Sequence, residues 1–443
     1  MRHFVNQIVE ALKKRSDLAG WTVRHVQTRG AQVYAVPQGI ESQRAVDGEK
    51  YIIDVLRNTT TAEGSPAMGS GDASLLPGDD IDHAIGQATL VAGLVANPVQ
   101  GLPGPASFPE VPLCDENLQN DASAVMLHTM ERIRAAAAKH SNVRLTAAEC
   151  FGEVHTTHLV NNRGIDAEQE STQVDIEFVL HSRKGERESE TFDAITRRRV
   201  ADLDIEAAIE QRVQYTLDSL DVEAPASWQG PVVLRNDALT IFLAGDNLNG
   251  SVIQSLASAE SKYAGVSSWE VGKPVFRGEV VGDPLTVWAN RGMPFGSASD
   301  RFDAEGLPAQ RIELIHENEL VAFAASQRYA DYMHIPATGD FGNIELPAGN
   351  TPVSELLAEP YVEIVQFSWF NPDTITGDFA TEIRFGYLVQ NGIRQPFKGG
   401  QLVGNYMDAL ANVCWSAETG FFGTYLGPHT ARFNELKIAG QDE

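Results

Sequence analysis

Val174, Ile176, Phe178 and Leu180 stand at every second position, with Asp175 and Glu177 between them. Strict alternation of this kind specifies a strand with one buried face, because successive side chains point to opposite sides of a sheet. Lys184-Gly185 then reads as the turn into a return strand around Thr191–Thr196. Helical patterns flank this pair. At the start, Phe4, Ile8 and Leu12 recur every four residues, Val5 and Val9 widen the stripe, and Lys13, Lys14 and Arg15 close the last turn, where cations suit the helix dipole. Further helices are expected near Ile81–Ala96, over Val125–Ala137 with Asp121 as N-cap, and behind Asp204 through Ile205, Ile209, Val213 and Leu220.

Thr22–Arg29, Gln32–Val36 and Glu49–Arg57 are β-prone and separated by Gly and Pro signals. Prolines 98, 103, 105, 109 and 112 mark an extended connector. In the second half, strands are expected at Val232–Leu234, Leu285–Trp288, Tyr361–Phe367 and Phe385–Gln390, and helices at Leu248–Lys262 and Asn405–Val413. Asn391-Gly392 is a two-residue hairpin signal, since both positions need positive φ. Strands mixed with helices without a regular βαβ rhythm give an α+β class, not a doubly wound sheet. The polar, proline-bearing segment Asp221–Gly230 divides the chain into a mixed N-terminal domain, residues 1–224, and a β-rich C-terminal domain, residues 225–443. A chain of 443 residues can bury such cores without disulfides or metals.

The net charge of −26 weighs against direct nucleic-acid binding, and the one dense basic run, Arg197-Arg198-Arg199, is followed by Asp202 and Asp204. No apolar run is long enough to span a bilayer, and the N-terminus lacks the form of a signal peptide. Cys114, Cys150 and Cys414 are scattered without a CxxC pair, which fits reduced thiols and a cytoplasmic setting. Cys414, between Val413 and Trp415, reads as a buried structural thiol.

Several segments together resemble the TldD/PmbA family. They are Phe302-Asp303-Ala304-Glu305-Gly306-Leu307-Pro308, Thr376-Gly377-Asp378-Phe379, Gly386-Tyr387-Leu388-Val389-Gln390-Asn391-Gly392, Leu402-Val403-Gly404-Asn405 and Leu436-Lys437-Ile438-Ala439-Gly440. A Gly64–Gly71 turn and Asn161-Asn162-Arg163-Gly164 extend the likeness, more loosely, into the first half. The resemblance implies a two-domain α+β subunit that pairs into a peptidase for small or unfolded peptides. In the TldD-like subunit an HExxxH helix and a late Cys hold zinc, which activates water while the Glu acts as general base. The family's older label is modulator of DNA gyrase.

The HExxxH segment should fall at Asp237–Leu256, which contains no His, and the late Cys at Gly420–Pro428, which contains no Cys. The chain therefore resembles the PmbA/TldE partner type, with no cofactor of its own and zinc in a TldD-like HExxxH partner. Its contribution to a peptide groove or interface would come from Asp303, Glu305, Gly377, Asp378 and Asn405. Two other readings remain open. One is a homodimeric metallopeptidase with a non-standard site drawn from His155, His158 or His429; the other is a peptide-binding regulator without hydrolysis. His155 and His158 lie three apart in an expected strand, so they point to opposite faces. Gly69-Ser70-Gly71 lacks the surroundings of a phosphate loop and reads as a turn.

Overall fold

The computed structural model describes residues 2–245 and 250–441. Six long strands, β1 (Gly20–Val36), β2 (Gly39–Thr60), β3 (Pro66–Leu75), β4 (Arg144–Asn161), β5 (Asp166–Lys184) and β6 (Arg187–Arg197), form an antiparallel sheet. Their order is β3-β2-β1-β4-β5-β6. Four helices cover one face of it: α1 (Arg2–Lys13), α2 (Ile81–Ala92), α3 (Glu116–Ala137) and α4 (Ile205–Asp218). Odd-numbered residues of β1 face them. Near one end α1 and α2 bury Val5, Ile8, Leu12, Ile85 and Ala88 against Val23, Ile53 and Val55. Toward the other end α3 and α4 bury Met126, Met130, Ile133, Ile209 and Val213 against Val33, Cys150, Ile176 and Phe178. Each such side chain removed from water is worth about 1.5–3 kcal/mol, so each end of the long sheet has its own anchor.

Several boundaries differ from expectation for physical reasons. Gly30 does not break the first strand. A Cβ there would lie 2.2 Å from the carbonyl oxygen of Gly152, so its absence permits close pairing of β1 with β4. Gly69-Ser70-Gly71, expected as a turn, lies inside β3; Cβ atoms on Gly69 and Gly71 would strike the carbonyls of Ala92 and Ala88 on α2. α2 stops at Ala92, with Gly93 as its C-cap, before Asn97-Pro98 is reached. In α3 both signals operate: Asp115 caps the helix, and Asp121, at a kink with φ −156°, accepts from the amide of Ala124. α4 ends at Asp218, short of Leu220.

The C-terminal part begins with β7 (Trp228–Arg235), α5 (Asn236–Ala244), α6 (Val252–Leu256) and α7 (Ala259–Tyr263). The helix expected at Leu248–Lys262 starts outside the described residues; within them it is two short helices separated at Ala257-Ser258. Next come β8 (Lys273–Pro274), β9 (Val287–Asn290), β10 (Arg311–His316), β11 (Glu319–Leu320), α8 (Gln327–Met333), β12 (Asn343–Glu345) and α9 (Val353–Leu356). The chain continues through β13 (Tyr361–Phe367), β14 (Asp378–Gln390), β15 (Ile393–Phe397), β16 (Gln401–Asn405) and α10 (Tyr406–Leu410). It finishes with β17 (Val413–Trp415), β18 (Thr419–Phe421), β19 (Tyr425–Pro428) and β20 (Thr430–Ala439).

These strands form two seven-stranded sheets, β18-β19-β12-β9-β10-β11-β8 and β13-β7-β20-β16-β14-β15 with β17 on β20. A β13–β14 pairing closes the second path on itself. The β14–β15 hairpin turns at Asn391 and Gly392, with φ of 55° and 73°, as its sequence requires. Asn405 is the N-cap of α10 and not its first residue, and Val413 has already entered a strand. Cys414 consequently lies in β17, half-buried, rather than in a helix or the core. The fold is α+β.

The first sheet docks on the C-terminal part through its uncovered face. Arg198 is buried and donates to the carbonyls of Gly296, Ser297 and Ser299. Arg199 pairs with Asp202 and lies 3.6 Å over the ring of Phe295. Two members of the basic run are thus consumed by internal contacts, which removes the basic patch that a phosphate backbone would need.

Candidate functional site

A cleft of about 530 Å³ opens between α4 and the edges of β7, α5, β13 and β15. Two charged clusters line it. In one, Arg212 of α4 is buried and donates to Asp193 at 2.7 Å, with Asp237 at 3.5 Å. Burial, then Asp193, push the Asp237 carboxyl upward against Arg212 and Arg197, although half of its side chain opens into the cleft. In the other, the buried Glu363 carboxylate lies between Arg394 at 3.2 Å and Arg235 at 3.7 Å, and Arg394 stacks 3.2 Å over Tyr387. Every carboxylate here except the rim residue Glu210 faces a guanidinium within the cleft. Such an arrangement binds charged or hydrogen-bonding groups; it offers no nucleophile paired with a base.

Arg212 and Glu363 escaped the sequence reading, yet each left a trace. Arg212 falls on the apolar stripe of α4 beside Ile209 and Val213, and Glu363 interrupts the apolar run Tyr361–Ile364. A charge set into a buried pattern signals a buried ion pair.

The five residues expected at a groove or interface separate into two places. Asp303 is buried, and its Oδ1 accepts from the amides of Glu305, Gly306 and Leu307 at 3.0, 2.9 and 2.8 Å. Its Oδ2 lies 3.4 Å from buried Arg291, which also pairs with Asp300 at 2.7 Å. Glu305 caps the start of α8 through the amide of Gln327 at 2.6 Å; burial, then Asp303, raise its carboxyl to about 7. Gly377, with φ 80°, packs against Asn405, whose Nδ2 donates to the Thr376 carbonyl and to Asp378 while its Oδ1 caps α10. No hydrogen bond, ion pair or cavity joins the two groups among the described residues.

The three histidines considered for a metal are each engaged separately. His155 contacts Thr28 and Glu153, His158 contacts Asp166 at 2.7 Å, and His429 contacts Thr430.

Residues 229–440 match the PmbA/TldA metallopeptidase C-terminal domain. This part of the chain is thus a TldD/PmbA-family domain. An uncharacterised protein of Methanocaldococcus jannaschii is 23% identical over 268 residues, 58% of this chain, and the chain spans 60% of that relative's length. The TldD/PmbA fold is shared with TldE from Thermococcus kodakarensis, at TM-score 0.79 and 19% identity over 99% of this chain and 100% of the other. A proposed modulator of a DNA gyrase from Thermotoga maritima gives 0.79 at 18% identity, again covering 99% and 100%. Another from Bacteroides thetaiotaomicron gives 0.82 at 14% identity, covering 99% of each chain.

The metal implied by the metallopeptidase description does not fit the described residues here; positions 246–249 of the stretch expected to hold HExxxH lie outside them. α5 lies against β19, so the stretch expected to hold HExxxH and the stretch expected to hold the late Cys meet in space. From them come Leu239, Phe242, Leu243 and Tyr425, all buried, and Phe242 stacks on Tyr406 at 4.6 Å. Asp237 is the one carboxylate of α5, and it faces Arg212. Among the described residues no three His, Cys, Asp or Glu side chains converge as a metal site. Zinc is held by thiolate, imidazole or carboxylate groups, and the side chains packed at this junction are aromatic and aliphatic instead.

Proposed function

We propose that this chain is the non-catalytic, TldE/PmbA-like subunit of a zinc peptidase acting on small or unfolded peptides. The zinc belongs to a TldD-like HExxxH partner. The observation that supports this reading is the meeting of α5 with β19, where the described residues of the two expected stretches supply packing side chains, Leu239, Phe242, Leu243 and Tyr425. In the assembly this chain completes and restricts the partner's chamber. The corner where exposed Asp378 sits beside half-buried Asn405 and buried Gly377, with Trp369 and Ile375 exposed nearby in the chain, is the surface assigned to the partner or its peptide. Glu305 and Asp303 act more remotely, by fixing the loop that seats α8. No helix among the described residues is long and apolar enough to cross a membrane, and the proposed setting is the cytoplasm.

A stand-alone metallopeptidase built on His155, His158 and His429 is disfavoured, because each ring already has its own separate partner. Reconstitution separates the readings. Cleavage of an unstructured fluorogenic peptide is expected only when an HExxxH partner is added, and a chelator should abolish it. Metal-dependent cleavage by the purified chain alone would sink the proposal. Saturable peptide binding with no cleavage by any pair would leave a peptide-binding regulator.

A further inference from the structure

A second cavity, of about 240 Å³, lies where the uncovered face of β1–β3 meets the 304–305 loop and α8. Its floor is a row across three paired strands, Thr22 on β1, Asp54 on β2 and Asp72 on β3. Arg24, Gln100, Glu305 and Arg328 supply the polar walls, and Val55, Leu56, Val91 and Leu102 the apolar ones.

Four side-chain atoms of this lining are buried without a hydrogen-bond partner: Thr22 Oγ1, Arg24 Nε, Gln100 Oε1 and Arg328 Nε. Thr22 and Gln100 are only 2% and 8% exposed. Unmet groups of this kind are costly and uncommon, so four around one cavity mark something that fills it. Arg24 pairs with Asp54 at 3.3 Å, but Arg328 has no ion pair among the described residues. Three carboxylates face two guanidinium groups, so the lining balances when Glu305, raised to about 7, holds its proton. Burial raises the carboxyls of both Asp54 and Glu305, against the pull of the nearby guanidinium groups.

The occupant must therefore accept from two guanidinium N–H groups and donate to Gln100 Oε1 and the carboxylates. It thus has an anionic end and a cationic end. An inorganic anion would face three carboxylates. A bare cation would leave both guanidinium donors unmet, and a neutral polyol would supply neither an anion for the guanidinium groups nor a cation for the carboxylates. The volume lies just below the roughly 300–1,000 Å³ of drug-sized sites, which suits a metabolite. We propose that this cavity binds a free α-amino acid with a small aliphatic side chain. Its carboxylate meets Arg24 and Arg328, its ammonium meets Gln100 and the carboxylate row, and its side chain lies on Leu56 and Leu102. The inference stands on the cavity alone and does not depend on a catalytic partner. If the peptidase reading also holds, the ligand class is that of a hydrolysis product.

Titration calorimetry on the full chain tests it, with L-alanine, L-valine and L-leucine as probes and isobutylamine and isobutyrate as half-ligands. Saturable binding of at least one amino acid is expected, weakened about tenfold or more for either half-ligand, because each lacks one charged end. Arg328→Met and, independently, Gln100→Leu should weaken it comparably with the circular dichroism spectrum unchanged. No heat with any amino acid would mean a cavity filled by water only and would overturn the proposal. So would isobutylamine binding as tightly as valine, or full binding by a folded Arg328→Met protein.

Discussion

Replacing Asp303 separates a side chain that holds the fold from one that merely lines a surface. Its side chain is 1% exposed, as is that of Arg291, and it bonds three consecutive amides. Asp303→Ala removes all three acceptor contacts and one of the two carboxylates around a buried guanidinium; only Asp300 remains as a charged partner. Breaking one side of a buried charged network costs about 3–5 kcal/mol. That is a large share of the roughly 5–15 kcal/mol that stabilises a domain. Asp303→Asn keeps Oδ1 as an acceptor for the amides and loses only the charge, so about 1–2 kcal/mol is expected. Chemical denaturation followed by circular dichroism and tryptophan fluorescence should rank the proteins wild type, Asn, Ala. A second readout is Glu305, whose carboxyl is held up partly by Asp303. It should titrate lower in both variants. Equal midpoints for all three proteins would refute the claim that this carboxylate builds the loop.

Glu305 also sets a pH dependence. Its carboxyl rises from 4.5 to about 7, so the folded state holds this proton more tightly than the unfolded chain. The resulting stability is complete below about 4.5 and is lost as pH rises through about 7, an effect of up to about 3 kcal/mol. Glu305→Gln should flatten that part of the stability–pH curve; an unchanged slope would contradict it. Gly69→Ala places a Cβ 1.7 Å from the carbonyl oxygen of Ala92, and should destabilise by at least about 1–3 kcal/mol as β3 and α2 separate. A thermal midpoint equal to wild type would show that the close approach is not required. Asn405→Ala removes a cap to Met407 and Asp408 and the bridge to Asp378, and should cost about 1 kcal/mol, read from the same denaturation curves. No loss would mean the cap is idle.

The elements most legible in the sequence were those that satisfy one local rule strongly. Alternation at Val174–Leu180 and Asn391-Gly392 each specify a backbone outcome without help from distant residues. Glycines misled where their reason was tertiary. Gly30, Gly69 and Gly71 mark close approach between backbones, not turns, and nothing within a few residues distinguishes the two. Helix ends failed similarly, since Val413 is drawn into β17 by pairing with Phe433. Of the candidate site, the conspicuous short motifs around Asp303 and Asn405 could be read, but not that Asp303 is buried while Asn405 is only half-buried. The charged cleft was invisible as a unit because Arg212, Asp237, Glu363 and Arg394 are brought together by four different elements.

The central claim concerns which subunit holds the metal, and native mass spectrometry with metal analysis on the protein isolated from its own source addresses it directly. The account predicts a complex with a roughly equimolar HExxxH-bearing partner and one zinc, with the metal retained by the partner when the two are separated. A zinc-loaded homodimer of this chain would contradict it.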